Sequence, residues 1–164
     1  MKLTPCGWAF LRAEPQVGVR KKQRIKHTPN MLRIAIQAVA MGVADLGIVG
    51  LNEVAEKGFP VEQIMDLGFG GCRLSLAVPK TTAYEGLAFF RGRRVATSYP
   101  NILARYFAEK GIEAEIHTIE GSVEIAPAVG MADGIFDIVS SGGTLISNGL
   151  VEVEKVLFSE AVLI

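Results

Sequence analysis

Residues 136–145, FDIVSSGGTL, place an acid just before a loop of small polar residues. The glycines would let backbone N–H groups approach a phosphate closely, and the hydroxyl groups and a helix starting near Leu145 would add further donors. A carboxylate at Asp137 would repel a phosphate, so ribose hydroxyls are its natural partner. The pattern therefore predicts a ribose 5-phosphate site at Asp137 and the loop residues Ser140, Ser141, Gly142, Gly143 and Thr144. An ordinary Gly/Ser turn is the competing interpretation.

Other nucleotide and metal motifs are not found in the sequence. The Walker lysine and the GxGxxG spacing are both absent, which excludes the usual nucleotide-binding loops. His27 and His117 have no ligand-like neighbours, and Cys6 and Cys72 lack Cys-x-x-Cys or Cys/His spacing. We therefore predict no metal held by protein side chains, and unpaired thiols rather than a disulfide framework.

Composition favours a soluble, globular protein of near-neutral charge. The 164 residues are 49% hydrophobic, enough for one domain or two small lobes. Seventeen basic and seventeen acidic residues cancel, so no overall field favours nucleic acid or an anionic membrane. No apolar run approaches the roughly 18 residues of a membrane span. We expect a cytoplasmic protein without nucleic-acid or membrane partners. The basic cluster at residues 19–27 predicts a solvated or disordered leader, with a nucleic-acid arm as the less favoured alternative.

From residue 42 onward, strand-like and helix-like segments alternate. Strands are predicted at 44–50, 73–79, 93–100, 113–119 and 134–139, and helices at 100–111 and 123–129. Residues 81–92 are less regular and are interpreted as a linker between two lobes. Such alternation indicates an α/β fold with a parallel or mixed sheet, in which ligands bind at the carboxyl ends of strands. The loop at 140–144 lies just beyond such an end.

A wider window resembles a known family. Residues 124–145, EIAPAVGMADGIFDIVSSGGTL, are similar to the signature of the ATP phosphoribosyltransferases, the first enzymes of histidine biosynthesis. The matching positions are Glu124, Gly130, Ala132, Ile135, Asp137, Ser141, Gly142, Thr144 and Leu145. Further segments resemble the family from residue 42 to the end of the sequence. The resemblance implies a two-lobed fold like that of the periplasmic binding proteins, with a ligand cleft between the lobes.

The resemblance also implies a reaction and the residues that serve it. N1 of ATP displaces pyrophosphate from C1 of phosphoribosyl pyrophosphate, with Mg²⁺ bound to the substrate. Residues 140–144 would hold the 5-phosphate, Asp137 the ribose hydroxyls, and Glu124 the ribose or metal side; Asp137 and Glu124 are the catalytic candidates. Arg73 and Tyr99 are weaker candidates for contacting ATP or polyphosphate. The alternatives are a structural salt bridge for Arg73 and core packing for Tyr99.

The start of the chain departs from the family. Residues 31–37, MLRIAIQ, resemble its opening strand, but the Lys-Gly-Arg-Leu stretch that should follow is missing. Alternatively, IAIQAVAMG belongs to a later segment of the family, and residues 1–30 replace the true start. We expect an atypical basic leader at 1–30, a reduced first lobe from 31–79 and 151–164, and a second lobe at 80–150 that carries the phosphoribosyl loop.

Two functions from different classes follow. The first is an ATP phosphoribosyltransferase with weak turnover, because the missing basic residues would balance the charge of two polyanionic substrates. The second is a truncated, non-catalytic module that retains phosphoribosyl or phosphate affinity. The family resemblance implies a homo-oligomer, or, for a short member, a regulatory subunit resembling a histidyl-tRNA synthetase.

Overall fold

The computed structural model describes residues 10–12 and 29–164 of the chain, with side chains described from Ile34 onward. The chain forms two compact units: unit 1 comprises Met1–Gly71 and Ser159–Ile164, and unit 2 comprises Cys72–Phe158. Among the described residues, no helix is both long and apolar enough to cross a membrane.

The described residues contain both strands and helices. In order they are β1 (Phe10–Arg12), α1 (Pro29–Ala40), β2 (Leu46–Gly50), α2 (Leu51–Lys57), β3 (Met65–Asp66), β4 (Cys72–Pro79), β5 (Arg94–Thr97), α3 (Pro100–Lys110), β6 (Glu115–Thr118), β7 (Gly134–Val139), α4 (Gly143–Ser147), β8 (Leu150–Ser159) and β9 (Ala161–Leu163). Two short 3₁₀ turns, Leu87–Phe90 and Val123–Ile125, lie between them.

Unit 1 contains a four-stranded sheet in the order β1-β2-β9-β3, with antiparallel pairing throughout. Its core lies where α1 meets the sheet, and the buried members are Ala35, Ile36, Val49, Val162 and Ile164. Ser159 joins the C-terminal strands to α2, because its hydroxyl accepts the N–H of Asn52 and donates to the side-chain oxygen of Asn52, both at 2.9 Å. Both residues are buried, and this pairing satisfies their polar groups.

Helix α1 corrects one prediction about the start of the family match. Residues 31–37 are helical, so their interpretation as an opening strand is wrong. The core of unit 1 contains Ala35, Ile36 and Val39, whereas Ile34 is exposed. Buried residues at this spacing fit the period of a helix and not the alternation of a strand. The apolar run is short, and such runs do not distinguish strand from helix. The alternative, that IAIQAVAMG belongs to a later segment of the family, remains.

Unit 2 contains a five-stranded mixed sheet in the order β6-β5-β7-β4-β8. Strand β5 is parallel to both β6 and β7, whereas β4 is antiparallel to β7. The predicted α/β fold with a mixed sheet is confirmed, and so are the bounds of the strand at 134–139. The register pairs Thr97 with Phe136 and Arg73 with Val139. The carboxyl ends of β5, β6 and β7 therefore share one edge, next to the start of β4.

Helix α3 begins and ends as predicted. Pro100 occupies the first turn, where its missing N–H is not needed, and Gly111 caps the C-terminus with φ of 64°. The helix buries Ile102, Leu103 and Phe107 and exposes its other face.

Two other segments differ from the predictions. Residues 81–92 do not link the units, because they lie within unit 2 and their 3₁₀ turn buries Phe90. The aromatic residues of this segment show no helical or strand period, so the sequence did not indicate that they pack in unit 2. The centre of the Phe90 ring lies 5.7 Å from the centre of the Phe107 ring. The helix predicted at 123–129 is only a 3₁₀ turn over Val123–Ile125.

The strand that opens unit 2 also differs from expectation. The expected first lobe included residues 72–79 and 151–158, whereas both segments lie in unit 2, where β4 pairs with β7 and neighbours β8. Apolar runs indicate strands but not the sheet they join. Cys72, at the start of β4, is disulfide-bonded, so the expectation of an unpaired thiol is wrong for this residue. Cys6, the other cysteine of the sequence, lies outside the described residues.

Candidate functional site

The candidate site lies at the edge of unit 2 where the three parallel strands end. Thr97 closes β5, and its hydroxyl accepts the N–H of Tyr99 at 2.8 Å. The hydroxyl of Ser98 donates to the carbonyl of Ile119, just beyond β6, at 2.7 Å. The segments that leave β5 and β6 are thus tied together beside the loop that leaves β7. This is the position at which open α/β sheets bind ligands.

Asp137 and Glu124 converge at this edge from different elements. Asp137 is half-buried in β7, and Glu124 is half-buried in the 3₁₀ turn after β6. Burial raises the pKa of Asp137 to about 6; the N–H of Ile138 opposes the rise, and the negative charge of Glu124 adds to it. The two carboxyl groups therefore interact, and a polar ligand that supplies donors or a cation would relieve both burial and repulsion.

The loop that follows β7 exposes backbone donors. Gly142 has φ of 80°, a conformation that glycine adopts at little cost, and a Cβ built there would meet no atom within 4 Å. Helix α4 starts at Gly143, two residues before the predicted start. The N–H groups of a first helical turn have no acceptor within their own helix, and the N–H of Gly143 contacts only the Ser141 hydroxyl, at 3.5 Å. The open space at Gly142 and the N–H groups at the start of the helix suit a phosphate.

The rest of the loop is held by its own side chains. Leu145 is buried in the core of unit 2. The Ser147 hydroxyl donates to the carbonyl of Gly143 and the side chain of Asn148 donates to the carbonyl of Thr144, both at 2.9 Å. Sequence reasoning did not identify Ser147 and Asn148 as supports of the loop. These contacts within the protein hold the conformation of the loop. Four of the five residues at 140–144 are exposed.

Arg73 forms the salt bridge that was the alternative to a substrate contact. Its Nε and one terminal nitrogen donate to the two carboxylate oxygens of Glu152 in β8, each at 2.6 Å. The other terminal nitrogen donates to the carbonyl of Ser140 at 3.2 Å. The Ser75 hydroxyl donates to Glu152 at 2.8 Å. The hydrogen bonds from Arg73 hold the pKa of Glu152 below its usual range, against the opposing effect of burial.

Sequence reasoning missed Glu152 as the partner of Arg73. Residues 151–155 read VEVEK, so the two acids share one face of β8 and the valines lie on the other. That alternation was the available indication, because acids that repeat every second residue in a strand share a face with cross-strand partners. The second acid, Glu154, accepts the Tyr84 hydroxyl at 3.0 Å.

Tyr99 lies in the core rather than at an open surface. It is 8% exposed, and its carbonyl accepts the N–H of Leu103 in the first turn of α3. Both predicted ATP-contacting residues thus have other roles in the fold. Tyr99 exposes little surface to a ligand, and Arg73 is paired with the carboxylate of Glu152.

The cavity in unit 2 lies away from the predicted site residues. No group of three or more His, Cys, Asp or Glu side chains suited to a metal occurs in the part of the chain that the structure describes. A cavity of about 490 Å³ lies at the opposite end of β5 and β7, lined by residues that include Arg93, Arg94 and Asp133. It contains none of the predicted site residues. The predicted site lies instead where the carboxyl ends of β5, β6 and β7 share one edge of the sheet.

Comparison with known proteins identifies the family. Residues 33–164 match the model of the ATP phosphoribosyltransferase family. The chain is 60% identical over 128 residues to the ATP phosphoribosyltransferase of Parabacteroides distasonis, covering 78% of this chain and 45% of that protein. It is 57% identical over 125 residues to the enzyme of Cytophaga hutchinsonii, covering 76% of this chain and 44% of that protein. The chain thus spans less than half the length of these curated relatives.

Solved structures agree with this family and its fold. The ATP phosphoribosyl transferase complex of HisG and HisZ from Thermotoga maritima matches with a TM-score of 0.75 and 27% identity, covering 90% of this chain and 75% of that chain. A periplasmic binding protein of an ABC transporter from Brucella ovis, solved with glutathione bound, matches with a TM-score of 0.54 and 12% identity over 81% of this chain and 46% of that chain. The second likeness supports only the two-lobed binding-protein fold. On the family match and these relatives, the chain is a member of the ATP phosphoribosyltransferase family.

Proposed function

We propose that this chain supplies the phosphoribosyl-binding part of an ATP phosphoribosyltransferase, the enzyme of the first step of histidine biosynthesis. The observation that carries the proposal is the loop at 140–144. It follows β7 at the edge where three parallel strands end, it leaves open space above the backbone at Gly142, and it lies close in sequence to Asp137. A sugar phosphate needs donors for its phosphate and acceptors for its hydroxyls, and this edge offers both.

In this proposal the loop binds the 5-phosphate of phosphoribosyl pyrophosphate. The donors are the N–H groups around Gly142 and Gly143 and the hydroxyl groups of Ser140, Ser141 and Thr144. Because Gly142 carries no Cβ, a phosphate oxygen can approach the backbone closely. Helix α4 has only five residues and adds little dipole of its own, so the hydrogen bonds carry most of the affinity.

Asp137 and Glu124 would orient the ribose. The Asp137 carboxylate accepts hydrogen bonds from ribose hydroxyls, and these bonds compensate for the burial that raises its pKa. Mg²⁺ arrives with the substrate pyrophosphate. Two carboxylates suit it chemically, because Mg²⁺ commonly takes one or two carboxylates together with substrate phosphates and waters. The N1 atom of ATP then displaces pyrophosphate from C1. The protein contributes position and charge compensation rather than covalent chemistry.

The assembly and setting of the enzyme belong to the same proposal. The likeness to a HisG:HisZ complex supports association with a regulatory subunit, and a homo-oligomer is the alternative. We place the reaction in the cytoplasm, where ATP and phosphoribosyl pyrophosphate are available.

Release of pyrophosphate tests the reaction. The parent chain and Asp137→Asn are compared with ATP and phosphoribosyl pyrophosphate together and with each alone. We expect slow release by the parent that requires both substrates, and none by Asp137→Asn. Release that ignores ATP, or that survives Asp137→Asn unchanged, contradicts the proposal.

A non-catalytic binding module is the second candidate function. The observation that favours it is the length of the match, which covers only 45% of the Parabacteroides distasonis enzyme and leaves the rest of that enzyme unmatched. Both candidates predict stabilisation by ribose 5-phosphate. Binding of ribose 5-phosphate without any pyrophosphate release that depends on both substrates supports the module, and release that depends on both supports the enzyme.

A further inference from the structure

The starting observation is the set of contacts around the Arg73 guanidinium. Glu152 receives two of its N–H groups at 2.6 Å each, and Ser140 receives a third on its carbonyl at 3.2 Å. Arg73 belongs to β4 and Glu152 to β8, and the two strands are neighbours in the sheet. Ser140 is the first residue of the candidate phosphate loop. One side chain thus joins the sheet to the point where the loop leaves β7.

The Glu152 side chain fixes the direction of that guanidinium. Its two oxygens hold Arg73 in a bidentate geometry, and one of them also accepts the Ser75 hydroxyl at 2.8 Å. Bidentate pairs are geometrically specific because the planar guanidinium has few other orientations that keep both bonds. With Nε and one terminal nitrogen occupied, the remaining terminal nitrogen lies toward the Ser140 carbonyl.

We propose that Arg73 is a positioning residue that, clamped by Glu152, orders the 140–144 loop through the Ser140 carbonyl rather than binding substrate itself. This inference rests on the proposed function of the loop. In the absence of ligand, the clamp keeps the N–H groups around Gly142 in their binding arrangement. The loop therefore loses less conformational entropy when a phosphate binds.

Direct contact with substrate makes opposite predictions. If Arg73 bound polyphosphate, Glu152→Gln would leave affinity unchanged or tighten it, because a competing negative charge disappears, and Arg73→Lys would retain much of the affinity. If Arg73 orders the loop, Glu152→Gln weakens binding because the guanidinium loses its direction. Arg73→Lys also weakens binding, since an ammonium cannot reproduce the planar set of three bonds.

Arg94 provides a matched control at the other end of the same sheet. It pairs with Asp133 through two nitrogens at 3.4 and 3.3 Å and donates to the carbonyl of Gly130 at 3.0 Å. This is the same combination of a carboxylate and a loop carbonyl. Arg94→Gln therefore controls for the general loss of an arginine salt bridge.

The experiment combines hydrogen–deuterium exchange without ligand and calorimetric titration with ribose 5-phosphate. In Arg73→Gln and Glu152→Gln, we expect amide exchange in peptides covering 140–146 to accelerate about 10-fold, the change that loss of one charged hydrogen bond produces. Peptides covering α3 should change little, and Arg94→Gln should leave residues 140–146 unchanged. Affinity for ribose 5-phosphate should fall by about the same factor.

Each outcome decides one of the two ideas. Unchanged exchange at 140–146 in both clamp variants overturns the positioning role, whatever the ligand does. Tighter binding by Glu152→Gln overturns it as well. If exchange at 140–146 is faster in the clamp variants but the parent protein binds no ribose 5-phosphate, the result supports the clamp and contradicts the proposed function. Should Arg73→Gln fail to fold, Arg73→Lys takes its place under the same criteria.

Discussion

Glu124 and Asp137 interact electrostatically although thirteen positions and a change of element separate them, and the charge of Glu124 adds to the burial that raises the pKa of Asp137 to about 6. Repulsion between two carboxyl groups at one strand end is tolerated at binding sites, where a ligand relieves it. The same relationship makes stability depend on pH.

Stability should fall with rising pH because of Asp137. A carboxyl group whose folded pKa is raised favours folding most below its unfolded pKa, near 4, and that contribution is lost as pH rises through about 6. At pH 7.5 Asp137→Asn should therefore be more stable than the parent by about 1–3 kcal/mol, and at pH 4 the difference should vanish. Urea unfolding at the two pH values measures it. A difference that does not change with pH refutes the shift.

Asp133, at the other end of β7, should behave in the opposite way. Hydrogen bonds from Arg94, first from its backbone N–H and then from its side chain, hold the pKa of Asp133 below its usual range. Its contribution is present above the unfolded pKa near 4 and is lost as pH falls through the lower folded value. Because the pair is partly exposed, Asp133→Asn should cost below about 1 kcal/mol at pH 7 and less at pH 3. Urea unfolding of this variant serves as the internal control for Asp137.

Gly142→Val should abolish the thermal shift produced by ribose 5-phosphate. A β-branched side chain there occupies the open space above the backbone and blocks the phosphate. Gly111→Val is the matched control, since Gly111 also has positive φ with no atom within 4 Å of an added Cβ, but caps α3. Both variants should lose stability, by roughly 1–2 kcal/mol or more from the left-handed conformation. Differential scanning fluorimetry with and without ligand compares them; equal ligand shifts in the two variants argue against the phosphate loop.

Gly134→Ala should destabilise unit 2 without touching the site. A Cβ there would lie 2.9 Å from the Phe90 ring and 3.2 Å from the carbonyl of Ala77, so the sheet or the ring must move. We expect a loss of about 1–3 kcal/mol. Gly71→Ala, where a Cβ meets nothing within 4 Å, should stay within about 0.5 kcal/mol of the parent. Urea unfolding that shows equal losses for the two variants contradicts this packing.

Local secondary structure was predictable from the sequence. The strand at 134–139, the α3 boundaries at Pro100 and Gly111, and the position of the loop after β7 follow from apolar runs, turn residues and capping rules. These features depend on residues close together in the chain, so the sequence contains what determines them.

Pairings between distant residues were not predictable in the same way. The helical state of residues 31–37, the burial of Phe90 and the bond between Arg73 and Glu152 each depend on what the segment meets in the folded unit. Short apolar runs are compatible with more than one state, and an arginine does not reveal its carboxylate when 79 positions separate them. For this reason the sequence left Arg73 with two equal interpretations.

The division of the chain also limits which contacts can form first during synthesis. Unit 2 is one continuous segment, so all its contacts can form as soon as it has been synthesised. Unit 1 has its strands on both sides of that segment: β2 pairs with β9 through Ile48 and Leu163, and β3 pairs with the same late strand. The whole of unit 2 must therefore leave the ribosome before the sheet of unit 1 can close. Until β9 has been synthesised, β3 and the edge of β2 that faces β9 have no strand partner, and unpaired edges of this kind favour aggregation of a nascent chain.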